Sequence, residues 1–490
     1  MKYYLGIDIG TSSAKLTLID EQGNIIDEQS REYPVLEPQP GWKEIDPETW
    51  MQAVEQSMEV IFLDKDASLL EGIGVTGQMH TVVFIDRDGN SIRPALMWND
   101  TRTADLVAGT REQIRSIPEV SAIANIISTG SPAINLFWLK KNEPEHFDRI
   151  HKFLIGPDYI VFRLTGSFQT DFCEASTSSL LDLKKGIWSR EIQQLLGFPD
   201  TIYPPIKGTN DIAGELSEAW TRRFGFRPGV KVIVGTGDNP AAAISTGCFS
   251  EKYPVLSLGT SGVLMYPREE IDFTARGKNI MFSFDQKEIQ ILVQGVVQSC
   301  GNSMNWWMKQ ILETNQFDKE TDVDLSRLGE SGLLFFPHLT GDKTIYADPT
   351  LRGCFLGIGT ETTRKDMTIA VMEGIAFGIR QLTEVMKIPK EDLQNLKITG
   401  GGSKNAVWMQ IFADVLDVHT EQLEAGAGAG YGMALCAASA CGKSSLGAIL
   451  SDTVQVKRVF SPRKKNVQLY GEKYHTYLKI HDALKQIFGV

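Results

Sequence analysis

Five short segments hold the residue types and spacings that could act on a phosphorylated, hydroxyl-rich ligand. In Asp8-Ile9-Gly10-Thr11 a carboxylate at the end of an apolar run meets small residues, and Thr11, Ser12 and Ser13 can turn their amide N–H groups onto phosphate oxygens without obstruction. Gly259-Thr260-Ser261-Gly262 offers the same cradle without the carboxylate, about 250 residues further on, which suggests two duplicated halves facing each other. Gly235-Thr236-Gly237-Asp238-Asn239-Pro240 joins the apolar run Lys231–Val234 to a stretch of small residues. An aspartate there can accept a hydroxyl proton; a local alternative is that Asp238 or Asn239 caps a helix whose first residue is Pro240. Gly77-Gln78-Met79-His80 and Trp98-Asn99-Asp100-Thr101-Arg102 put directional hydrogen-bonding groups beside apolar Met79 and Trp98, as a polyhydroxylated ligand requires. Phosphoryl transfer needs donors for phosphate oxygens, a metal and a base, and these segments supply a candidate for each.

Other chemistries lack their residues. Gly442-Lys443-Ser444 has Ala437 where a Walker loop needs its leading glycine, and no Gly-x-Gly-x-x-Gly follows a strand. The six cysteines lie far apart with no Cys-x-x-Cys spacing, which argues for reduced, buried thiols rather than zinc or disulfides. With a formal net charge of -12 and scattered basic residues, the chain lacks the footprint of a nucleic-acid binder. The start, Met-Lys-Tyr-Tyr-Leu-Gly-Ile-Asp, lacks a signal-like apolar core, and no run reaches the ~18 apolar residues of a membrane span, so a cytoplasmic location and no membrane partner are expected.

The elements that must position these residues follow from periodicity. Residues 3–9 read as a strand, 10–13 as a tight loop and 15–20 as a second strand, with a turn at Glu21–Asn24 before a third from Ile25. A hairpin is expected from Thr81–Asp86 and Ile92–Trp98, with helices at Pro47–Phe62, Ala133–Lys141 and after Asn239-Pro240. Val255–Leu258 and Val263–Met265 repeat the opening hairpin. Asn395–Thr399 is a strand ending in Gly400-Gly401-Gly402-Ser403, a helix follows Asn405, Gly426–Gly432 opens an alanine-rich helix, and one amphipathic helix is expected from Val467. A length of 490 residues exceeds a single growing core, so two domains are expected, 1–245 and 246–490, with an interdomain cleft.

Taken together these segments resemble the FGGY family of carbohydrate kinases over essentially the whole chain. Gly353–Ile358, Asp366-Met367 and Ala370–Glu373 resemble the region of the family's second signature. The resemblance implies an α/β fold of two duplicated actin/hexokinase-like, ribonuclease H-like ATPase domains. It implies ATP and Mg²⁺, a small sugar as partner, and leaves room for a homodimer. By that resemblance Asp238 is the base, Met79, His80, Trp98, Asp238 and Asn239 contact the sugar, and Asp8 helps hold Mg²⁺. Thr11, Ser12, Ser13, Gly259 and Thr260 belong to the phosphate loops, and Gly401, Gly402, Ser403 and Asn405 line the adenosine site. Within the family the motifs look most like D-xylulose kinases, with gluconate, another pentulose or a polyol as alternative acceptors and a sugar-responsive binding protein as the non-enzymatic alternative. Three stretches depart from that pattern: Gly341-Asp342-Lys343-Thr344-Ile345 stands for the usual Gly-Glu-Arg-Thr-Pro, Phe282-Ser283-Phe284-Asp285 for an apolar-Cys-His segment, and Thr81 for the glycine after Met-His.

Overall fold

The computed structural model describes residues 2–424 and 428–488. The chain divides into two compact units: Met1–Gly247 with Ile280–Ile291 and Gly426–Thr453, and Cys248–Asn279 with Leu292–Ala425 and Val454–Val490.

The first unit is built on a seven-stranded sheet. Its strands are β1 (Tyr3–Ile9), β2 (Ser13–Asp20), β3 (Ile25–Glu32), β4 (Leu70–Gly77), β5 (Ile212–Glu215) and β6 (Lys231–Ile233), in the order β5-β6-β4-β1-β2-β3, with Thr236–Gly237 also paired on β4. Strands β1, β4 and β6 run parallel, whereas β2, β3 and β5 are antiparallel to their neighbours. The sheet's apolar residues, among them Leu5, Ile7, Leu16, Ile73 and Val75, are fully buried and join Trp50, Val54 and Met58 of the helix Pro47–Ile61 in one core. That helix begins where the sequence places it, because the Asp46 side chain accepts from the Glu48 amide and Pro47 needs no hydrogen-bond partner at the first position.

The second unit repeats the plan. Strands β7 (Val255–Leu258), β8 (Gly262–Arg268), β9 (Lys278–Phe282), β10 (Gln290–Val297), β11 (Asn395–Thr399), β12 (His419–Leu423) and β13 (Val456–Phe460) are ordered β9-β10-β8-β7-β11-β12-β13. From β10 onward this order matches β3-β2-β1-β4-β6-β5 strand for strand, including the parallel centre and the antiparallel edge. The duplication inferred from two short loops therefore extends through both sheets.

Relative to a division at residue 245, two segments change sides. The tip of the β9–β10 connection is held in the first unit, where Thr209 N–H donates to the Ser283 carbonyl (2.8 Å) and Asn210 N–H to that of Phe284 (2.9 Å). The helix Ala429–Cys441 lies on the first sheet because glycines remove the side chains that would block it. A Cβ on Gly6 would stand 1.8 Å from the Gly430 carbonyl oxygen, one on Gly74 2.3 Å from that of Met433, and one on Gly432 2.0 Å from that of Ala241. Gly426 and its neighbours on either side lie outside the described residues.

Two elements differ from their sequence reading. The second arm of the Thr81–Trp98 hairpin shortens to Ala95–Leu96, and on its other edge Val82–Ile85 pairs over its length with Lys152–Ile155, distant in sequence. The C-terminal stretch forms two helices, Lys464–Tyr477 and Ile480–Phe488, each with its own buried anchors, Tyr470 and Tyr477 in one and Ile480 and Leu484 in the other.

Candidate active site

In the first unit Asp8 sits one residue from the end of β1, directly across the hairpin from Lys15. Burial pushes its carboxyl up to about 6 while the Lys15 charge pulls it down. No described group donates a hydrogen bond to this carboxylate, and such a group suits a cation better than a structural role. Among the described residues no three His, Cys, Asp or Glu side chains converge on a metal position. A cation here would therefore take Asp8 from the protein and its other ligands from phosphate and water, as Mg²⁺ commonly does.

The loop after β1 is held from behind. Tyr33 Oη donates to the carbonyls of Gly10 (2.5 Å) and Ser13 (3.0 Å), Tyr33 N–H to that of Ser12 (3.0 Å), and Gln78 Nε2 to that of Gly10 (3.1 Å). With the carbonyls so occupied, the amide N–H groups of Thr11 and Ser12 have no acceptor among the described residues and are left for an anion. Tyr33 was invisible to motif reasoning: it follows a charged strand edge, and only the fold folds it back under the loop.

Met79 and His80 form the turn leaving β4, with Met79 buried and His80 in the left-handed region at φ 70. A non-glycine residue held at positive φ is a conformation that functional turns often keep. Asn239 Nδ2 lies 3.3 Å from Met79 Sδ, so this turn meets the start of the helix Asp238–Ser245. That helix is capped by Gly237 without a side-chain bond, which corrects the reading of Asp238 or Asn239 as the cap and of Pro240 as the first residue: Asp238 itself opens the helix, half-buried. Gly237 leaves little room for a side chain, since a Cβ would lie 2.6 Å from Met79 Cγ and 3.0 Å from a Glu174 carboxylate oxygen. The fully buried Glu174, and Asp171 that caps its helix, are acids beside the Asp238 loop that no motif announced.

Trp98 is 41% exposed and donates its indole N–H to Thr11 Oγ1 at 3.2 Å, so the sugar-type and phosphate-type segments touch. Asp100 and Arg102, further along the same segment, are turned away from any ligand. Their side chains are fully buried and joined to each other, with Arg102 also paired to Glu44 and stacked 4.0 Å over Trp42. They brace the loop, which corrects their reading as ligand contacts.

In the second unit Gly259 N–H bonds the Ser261 carbonyl (3.1 Å), while Gly301 and Asn302 donate to the carbonyls of Gly259 and Thr260, the same backward bracing found in the first loop. Position 8 of the first hairpin corresponds here to Ser257, so this cradle has no acid. Beside it opens a cavity of ≈ 460 Å³ lined by Gly259, Thr260, Gly401, Gly402 and Asn405, together with apolar Met304, Phe317, Met372 and Trp408. Gly400 at φ 89 turns the chain, and Gly401 faces open space. Asn405 caps the helix Ala406–Leu416 through the Trp408 amide (2.9 Å) and donates to Thr321 Oγ1 (2.7 Å). Ser403 does not line the cavity: its buried hydroxyl donates to the Gly400 carbonyl at 2.8 Å. The apolar wall went unread because its residues come from four separate segments with ordinary core spacing.

A cavity with an apolar wall beside a phosphate-type loop suits a nucleotide base. The models of the FGGY family of carbohydrate kinases match residues 3–245 (N-terminal domain) and 255–441 (C-terminal domain). A xylulose kinase of Staphylococcus xylosus is 32% identical over 487 residues, 98% of this chain and 100% of that one. The chain belongs to the FGGY family of carbohydrate kinases. A Lactococcus lactis xylulose kinase is 33% identical over 495 residues, covering 99% of this chain and 98% of its own. The crystal structure of a xyloylose kinase from Brucella ovis superposes with a TM-score of 0.88 at 30% identity, covering 99% of this chain and all of that one. As a member of the FGGY family this protein is an ATP-dependent sugar phosphotransferase with the family's two-domain α/β fold. Among the described residues no helix is long and apolar enough to cross a membrane. The family's Gly-Glu-Arg-Thr-Pro stretch is here a structural turn, with Asp342 buried against His338 and accepting the Tyr346 amide, and Lys343 exposed.

Proposed function

We propose that this FGGY kinase phosphorylates D-xylulose to D-xylulose 5-phosphate with MgATP. The observation that carries the reading is the contact between Asn239 and Met79, which joins the Met79-His80 turn to the helix that opens with Asp238. A hydroxyl-rich chain resting on Met79 and Trp98, with His80 and Asn239 as directional partners, would present one hydroxyl to Asp238. Asp238 takes the hydroxyl proton, the freed oxygen forms its bond to the terminal phosphorus of ATP, and the bond from that phosphorus to ADP breaks. The Thr11 and Ser12 amides and the Thr260 loop supply phosphate donors, and the ≈ 460 Å³ cavity takes the adenosine. Mg²⁺ held by Asp8 would neutralise charge on the phosphate oxygens. The relatives named xylulose kinase, at about one-third identity over nearly the whole chain, favour this sugar. A coupled ADP-release assay across ketopentoses, polyols and aldonates tests it. D-xylulose should give the highest kcat/KM; gluconate or another pentulose ahead of it would overturn the acceptor, and sugar binding without ADP release would favour the sugar-responsive binding protein.

A further inference from the structure

Four hydrogen bonds of the first unit close into a ring through one threonine. The Gly10 carbonyl accepts from Gln78 Nε2 (3.1 Å), and Gln78 Oε1 accepts from the Thr81 hydroxyl (3.1 Å). The same hydroxyl oxygen accepts from the Trp98 backbone N–H (3.2 Å), and the Trp98 indole N–H donates to Thr11 Oγ1 (3.2 Å), next to Gly10 in the chain. Thr81 is fully buried and Gln78 is 3% exposed, so neither can exchange its partner for water. The hydroxyl donates on one side and accepts on the other; a valine of equal shape would strand both partners at once. Trp98 alone in the ring is widely open to solvent, and so to a ligand.

We propose that Thr81 is a positioning residue that locks the sugar turn, Trp98 and the first phosphate loop into one rigid assembly, so that a sugar seated on Trp98 restrains Thr11 and aims the loop amides at phosphate. The inference rests on the assignment of Met79, His80 and Trp98 to the sugar. It differs from a packing role because it needs the hydroxyl and not the volume, and because its effect must pass through Thr11.

The full-length protein, Thr81→Val, Thr81→Ser, Thr11→Val and the Thr81→Val/Thr11→Val double variant test this together. Thr81→Val should lower kcat about tenfold, Thr81→Ser should restore it to within about twofold, and the double variant should be no worse than its more impaired parent, as expected for two breaks in one ring. Multiplied losses in the double variant, or a serine as impaired as the valine, would overturn the proposal. A second readout does not depend on turnover: the indole ¹⁵N–¹H resonance of Trp98, assigned as the peak missing from Trp98→Phe, should move in Thr81→Val and in Thr11→Val. An unmoved resonance overturns the ring. If Thr81→Val fails to fold, Thr11→Val at its half-exposed position still decides the matter by resonance and rate. If the unmodified protein phosphorylates no sugar, the acceptor assignment falls while the resonance still tests the ring.

Discussion

Exchange of one carboxylate for its amide separates chemistry from binding. Asp238→Asn keeps the shape of the side chain that opens its helix and cannot accept a proton, so sugar affinity should stay near normal while kcat falls ~10²–10⁴-fold, the usual cost of losing a general base. Calorimetric titration of the sugar beside steady-state rates checks this; a near-normal kcat would assign the base elsewhere. Asp8→Ala should act on the metal instead, raising the Mg²⁺ concentration needed for half-maximal rate while sugar binding hardly changes. An unaltered Mg²⁺ dependence would remove Asp8 from that role. His80→Ala should raise KM for the sugar well above its effect on KM for ATP, because a lost directional bond to a hydroxyl costs on the order of 1–3 kcal/mol in a buried site. Equal rises would mean that His80 only holds its left-handed turn.

Elements are held by features whose removal has a computable sign. The helix Ala429–Cys441 rests on β1 and β4 through glycines, and Gly74→Ala would drive a methyl to 2.3 Å from the Met433 carbonyl oxygen. Backbone cannot yield as a flexible side chain can, so the loss should be about 1–3 kcal/mol or more in a denaturant melt. An unchanged midpoint would mean the helix can lift off at no cost. Beneath the Asp238 loop, burial pushes the Asp171 carboxyl up to about 6 despite the hydrogen bonds that lower it. A raised folded value means that its stabilising contribution is complete below the unfolded value near 4 and is lost as pH rises through about 6. Asp171→Asn keeps the cap on the Glu174 amide and removes the titration, so it should flatten the fall in stability between pH 4 and 7 by on the order of 2 kcal/mol. Parallel pH–stability curves for the two proteins would exclude Asp171 as a source of that slope.

At the scale of the whole molecule the units are not contiguous in sequence. The first sheet needs the helix Ala429–Cys441 to cover Gly6 and Gly74, so residues 1–247 produced alone should lack a cooperative thermal transition, and adding the peptide 426–453 should raise their helicity and melting temperature. A well-folded 1–247 fragment would show that the helix is dispensable.

Much of this could be read before any coordinates. The β1–β2 hairpin, its repeat at Val255, the aspartates at 8 and 238 and the glycine turn at 400 each depend on local rules: alternation of apolar residues, small residues where amides must converge, and a carboxylate at a strand end. Those rules act over a few neighbours, and sequence records neighbours directly. Tertiary structure alone decided what each side chain spends its polar atoms on. Asp100 and Arg102 carried the same types as ligand contacts and are consumed by each other, Ser403 by Gly400, and Thr81 by two partners at once. Tyr33, Glu174 and the wall of Met304, Phe317, Met372 and Trp408 enter the sites from segments whose spacing is that of any core. The reason is physical: a hydrogen bond or an apolar contact depends on distance in space, and the strand order that sets those distances is chosen by the packing of two whole sheets.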